Sequence, residues 1–165
     1  MLADAFEHHV WATVQLIDAC LSVSTEQLET PVPGTYGSIR DTMRHLVDGD
    51  STYLFWLTGD RAHVIETDGM DLRQLREAIE RNGVAWSAFL AQDPNAEQIV
   101  KDVDDGEGWE RDASVGVRLA QALHHGSEHR SQICTTLTTL GVQPPELDLW
   151  DFGLDTGRIV EVLPP

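Results

Sequence analysis

Apolar residues recur at spacings of three and four along four long stretches of the chain, and the segments between them carry the Gly, Pro and Asp that interrupt helices. This pattern predicts a helix bundle. In the first stretch Leu2, Phe6, Val10, Thr13, Ile17 and Cys20 fall on one stripe with His9 at its edge, so a helix should end near Leu21. Ser24 followed by Gln27 fits a capping box for one short turn, and Pro31, Pro33 and Gly34 then exclude regular helix from a crossing loop. The second stretch is capped by Ser38 with Asp41 at its third position, buries Ile39, Met43, Leu46, Tyr53 and Leu57, and stops at Gly59. A third runs from Leu72 to Leu90 on the stripe Leu72, Leu75, Ile79, Trp86 and Phe89, with Gly83 as its weak point and Asp93-Pro94 ending it. The fourth starts near Ser114 and continues through Leu119, Leu123, Ile133, Leu137 and Leu140 to Gly141, a helix of roughly 40 Å.

Between the third and fourth helices, Ile99, Val100 and Val103 precede the turn-rich residues 104–108 and Trp109, which predicts a small hairpin. Beyond Gly141, Pro144-Pro145 leads into Leu147, Leu149, Trp150 and Phe152, an apolar tail expected to pack across the bundle end. Residues 158–163 are expected to add a short strand. No repeat of fixed period and no low-complexity tract interrupts the chain.

With 165 residues of uniform composition, the chain is read as one domain over residues 1–165, large enough to bury roughly two-thirds of its unfolded surface. Twenty-eight acidic residues against eleven basic ones give a formal charge of -17, which opposes the phosphate neutralisation that nucleic-acid binding requires. The same field repels anionic lipid, and no long apolar run or leader is evident, so neither nucleic acid nor membrane is expected as a partner and the location is read as cytoplasmic. Cys20 and Cys134 are far apart and lie inside apolar helical stretches, which predicts buried free thiols rather than a disulfide or a redox motif.

The strongest chemical signal lies in residues 124–132, His-His-Gly-Ser-Glu-His-Arg-Ser-Gln. His125 and His129 are four apart and project from one helix face, where imidazoles can chelate one divalent ion, and Gln132 follows on the same face. Glu128 precedes the second histidine instead of following the first, so this is not the metalloprotease motif. His124 points about 100° away and stays outside the set. A third ligand must come from another helix, and the candidate is His45, although spacing alone reads it as a boundary histidine satisfied by backbone or water. His9 reads as a satisfied structural histidine, and Trp11, Trp56 and Trp86 as core rather than pocket residues.

His45-Leu46 followed by Asp50, the late-helix run His125, His129, Arg130 and Gln132, and then Leu140, Gly141, Pro144, Pro145 and Asp148 together resemble the DinB/YfiT-like family in order and spacing across most of the chain. The resemblance implies an all-α, up-down-down-up four-helix bundle, homodimers, and a divalent metal, zinc or nickel, held by His45, His125 and His129. Where the family carries Glu the chain has Asp50, one methylene shorter, and the neighbouring Gly49 weakens the helix by roughly 1 kcal/mol relative to Ala. Asp50 falls near the centre of the apolar stripe and must be paired, hydrogen-bonded or protonated if buried; Arg130 or a ligand histidine is a candidate partner, and a structural hydrogen bond between helices is the equal alternative.

Three neutral imidazoles would leave coordination positions open, which suits catalysis better than a closed structural cage. Members of the resembled family include transferases that join low-molecular-weight thiols such as mycothiol or bacillithiol to electrophiles, and isomerases that depend on such thiols. By that resemblance the expected activity is thiol transfer, with Asp50 or Gln132 orienting a ligand or water. A metal-dependent hydrolase would use the same three ligands equally well. A non-enzymatic bundle tied together by metal is the other alternative.

Overall fold

The computed structural model describes residues 2–103 and 110–162. Four long helices, α1 (Leu2–Cys20), α3 (Ile39–Thr58), α4 (Leu72–Leu90) and α5 (Val115–Thr139), are accompanied by the short helices α2 (Thr25–Glu29) and α6 (Leu149–Asp155) and by the hairpin β1 (Ile99–Val103) and β2 (Glu110–Ser114). The helix ends obey local chemistry. Ser24, Ser38 and Asp71 each accept from a backbone N–H three residues on, and the residue there returns the bond, which completes three capping boxes. Ser114 caps α5 and Asp148 caps α6 in the same way, without the return bond.

α1 and α3 each pack against both α4 and α5, so α1 and α3 occupy opposite corners of the bundle. The apolar interior is divided into two clusters. One gathers Leu16, Ile17, Ile39, Met43, Leu75, Ile79, Ile133 and Leu137, and the other Phe6, Leu54, Leu57, Trp86, Val115, Leu119 and Ala122. α1 and α5 enter at the second cluster and leave at the first, whereas α3 and α4 do the reverse. The bundle is therefore up-down-down-up. β1 pairs antiparallel with β2, Ile99 opposite Ser114 and Val100 opposite Ala113, and β2 delivers the chain directly to the start of α5.

Between the two clusters lies a buried polar layer to which every long helix contributes: His9 and Thr13 from α1, Asp50 from α3, Asn82 from α4 and Arg130 from α5. Leaving such groups unpaired would cost several kcal/mol each, and each has a partner. Asp50 Oδ1 accepts from His9 Nε2 at 2.8 Å, Oδ2 accepts from Asn82 Nδ2 at 2.9 Å, and Trp86 Nε1 donates to both oxygens at 3.0 and 3.1 Å. Arg130 Nη1 donates to His9 Nδ1 and Thr13 Oγ1, both at 3.1 Å. Because a guanidinium only donates, His9 carries its ring proton on the nitrogen facing Asp50.

The tail departs from expectation. Phe152 is buried against α1, where it meets His8 and Trp11 edge-on, but Leu149 and Trp150 stay 55% and 72% exposed. A seven-residue helix docked through one face has only one face to bury. Residues 158–162 form no strand, and the arginine at 158 instead pairs with Asp4 and Glu7 of α1. Trp109, the turn at 104–108 and Leu163 lie outside the described residues.

Candidate metal centre

α3 and α5 run side by side, and their facing surfaces carry the histidines. Their approach is close because Gly49 has no side chain: a Cβ there would lie 2.5 Å from His125 Cε1. The glycine that reads as a helix-weakening flaw in the sequence is what lets the imidazole of His125 lie against the α3 backbone. Gly126 has the same function on the inner side, where a Cβ would meet His9 Cε1 at 2.2 Å.

In this seam His45, His125 and His129 come together with one ring nitrogen of each within 4.8 Å of the others. The Nε2 atoms of His45 and His125 face one another at 3.2 Å. Two nitrogens bound to one tetrahedral zinc would stand about 3.3 Å apart, so the donor set and spacing fit a divalent transition metal. The rings meet edge to face at centroid separations of 4.5 to 5.0 Å.

Protonation favours ligation. Burial, reinforced by His129 and His45, pulls His125 down to about 4, and burial followed by His129 also lowers His45. Both are neutral at pH 7, as a metal ligand must be. His129 Nδ1 donates to Gln132 Oε1 at 3.1 Å, and the Tyr36 backbone N–H donates to the same oxygen at 3.0 Å. Two donors on one atom identify it as the amide oxygen, which holds His129 with its Nε2 lone pair free.

Tyr36, in the crossing loop, stacks on His45 at 4.2 Å and 8° and meets His129 edge-on at 5.4 Å. It was not singled out in the sequence because nothing in its neighbourhood marks a site; it arrives through the loop path set by Pro31, Pro33 and Gly34. Beside His45 opens a cleft of about 490 Å³, lined by Tyr36, Asp41, Arg44, Asp48 and Asp68 among others. Burial, with Glu66 and Asp68 nearby, raises the Asp48 carboxyl above its ordinary value.

The structure thus brings together His45, His125, His129 and Gln132. Asp50 makes structural bonds between helices, one of the two readings its place in the sequence allows: its carboxylate accepts from His9, Asn82 and Trp86, and neither Arg130 nor a ligand histidine is its hydrogen-bond partner. Its negative charge still acts on His125, which it helps to keep protonatable. Arg130 reaches it only through His9. His124 points outward, 3.8 Å from Glu128, as expected. Trp86 is core, while Trp11 and Trp56 are half-buried.

Among the described residues no helix is long and apolar enough to cross a membrane. No curated protein matches the chain. The model of the DinB family matches residues 1–155, nearly the whole chain, and the chain belongs to that family.

Proposed function

We propose that the chain is a divalent-metal-dependent enzyme in which His45, His125 and His129 hold zinc or nickel, and that it transfers a low-molecular-weight thiol of the mycothiol or bacillithiol kind to an electrophile. The observation that carries this reading is the convergence of three imidazole nitrogens within 4.8 Å beside an open cleft. When bound, the ion supplies positive charge that favours thiolate over thiol at neutral pH.

The chain's own residues define the rest. Gln132 fixes the ring of His129, Tyr36 covers one face of His45, and Gly49 sets the depth of His125. Neither cysteine is suited to supply the nucleophile: burial pushes the Cys20 thiol up to about 12 and also raises Cys134. The attacking sulfur therefore comes from a cofactor thiol. Its S–C bond to the electrophile forms as the leaving group departs with the bonding pair, and the thiol proton goes to solvent. The two free cysteines fit a reducing, cytoplasmic compartment, and the exposed Leu149 and Trp150 fit a homodimer contact.

Protein purified without a histidine tag or chelator should contain about one transition metal per chain by elemental analysis, lost on His125→Ala or His129→Ala, because a facial site needs all its ligands. Incubated with a cellular thiol and a chlorinated nitroarene, the loaded protein should form the thioether, and chelation should stop it. Absence of metal would overturn the reading, and metal-dependent ester hydrolysis without conjugation would move it to a hydrolase.

A further inference from the structure

The α3–α5 seam continues past the histidines toward the C-terminal end of α3. Tyr53 lies eight residues beyond His45, about 12 Å along the helix, and its ring stands 5.5 Å from His125 on one side and 5.5 Å from Trp56 on the other. Beyond it opens a second cleft of about 320 Å³, lined by Tyr53, Trp56, Ala113, Val117, Arg118 and Gln121. It is separate from the acidic cleft beside His45 and shares no residue with it.

We propose that this second cleft is a binding slot for a flat conjugated ring that bears an acceptor oxygen, as in an aryl carboxylate or an aryl carbonyl compound. Two aromatic rings crossing at 81° form an apolar corner that suits a planar guest, and Val117, 61% exposed, leaves the mouth open to solvent. The phenol of Tyr53 points to an acceptor. Gln121 Nε2 donates to the Tyr53 hydroxyl oxygen at 3.3 Å, which leaves the phenol's own proton to be given to a guest. Arg118, 4% exposed, donates to the Val100 carbonyl at 3.2 Å and lies 5.3 Å over the Trp56 ring. Its guanidinium is thereby fixed against the Trp56 ring and stiffens the aromatic corner on which a planar guest would lie. Tyr53 is the partition between this slot and His125, so a guest seated here lies one aromatic ring away from the histidine cluster. The use of the slot as the electrophile's seat rests on the thiol-transfer reading, whereas the slot itself does not.

The test is fluorine NMR of the full chain with three probes, 4-fluorobenzoate, 4-fluoroacetophenone and 4-fluorobenzylamine, in metal-loaded and chelator-treated samples whose metal content is measured. Saturable broadening with benzoate or ketone, and none with the amine, is expected; the tighter of the two tells whether the natural guest is an anion or a neutral carbonyl. Gln121→Ala, at an exposed position, should weaken binding about fivefold through loss of the bond that orients Tyr53. Trp56→Leu should weaken it by about threefold to tenfold through loss of the aromatic wall. No saturable binding of either acceptor, equal binding of the amine, or unchanged affinity in both variants with native circular dichroism would overturn the proposal. Acceptor binding in a chain that takes up no metal would leave the slot standing and defeat the thiol-transfer reading; metal uptake without acceptor binding would do the opposite.

Discussion

A single absent methyl group decides how closely His125 can approach α3. Gly49→Ala should raise intrinsic helix stability by about 1 kcal/mol in isolation, yet its Cβ would stand 2.5 Å from the His125 ring and push it outward. The expected outcome is helical circular dichroism like the parent's with metal affinity reduced by about tenfold to a hundredfold, the range seen when a ligand's orientation is lost. Unchanged metal affinity would show that the ring has room to spare. Asp50→Ala tests the polar layer: it removes the acceptor of three buried donors and the counter-charge of Arg130, which burial pulls down to about 10 and which is still charged at neutral pH. A loss of about 3 kcal/mol in urea unfolding is expected from an uncompensated buried charge. At this scale the sequence was legible where a residue's neighbours lie on its own helix, as for His125, His129 and Gln132. Gly49 was misread and Tyr36 missed because what each does depends on a partner on another element, whereas His9 is the satisfied structural histidine its place on the stripe implies.

Element boundaries were the most readable feature, since they are written in local chemistry and pattern: the Ser38 cap with Asp41 starts α3, and the apolar stripes place the starts of α4 at Leu72 and α5 beside Ser114, as found. The tail was less so. α6 is held by the buried Phe152 and by the bond from His8 Nε2 to the Leu147 carbonyl at 2.7 Å, and periodicity over so short a segment does not tell which side will be covered. The partial burial of His8 gives the docking a pH dependence. Burial, the largest influence, holds His8 below its ordinary 6.5, so the unfolded chain takes up the proton first and stability falls as pH drops below about 6.5. Thermal melting at pH 7 and pH 5 should therefore show a smaller acid-induced drop in His8→Gln, which keeps a donor but does not titrate, than in the parent. An equal drop would assign the acid sensitivity to other groups.

For the whole molecule, the polar layer and the histidine seam are two consequences of one arrangement, in which α1 and α5 run against α3 and α4. The layer links all four helices, and the seam uses the α3–α5 pair alone. A ligand that bridges two helices and binds only the folded state adds about 2.7 kcal/mol of stability at a hundred times its dissociation constant. Free zinc at that excess should accordingly raise the melting temperature by several degrees, roughly 5 to 10 °C, and chelation should reverse it. The buried Cys20 thiol should resist alkylation at pH 8 until denaturant is added, read by mass spectrometry, because a thiol raised to about 12 presents almost no thiolate there.

The most direct measurement is a titration of chelator-treated protein with cobalt(II), whose visible absorption reports the ligand field. Saturation at one equivalent per chain, lost in His45→Ala as fully as in His125→Ala, is the predicted result. A spectrum that survives His45→Ala unchanged would contradict it, because the ion would then be held by α5 alone and the junction of the two helices would not be the metal's seat.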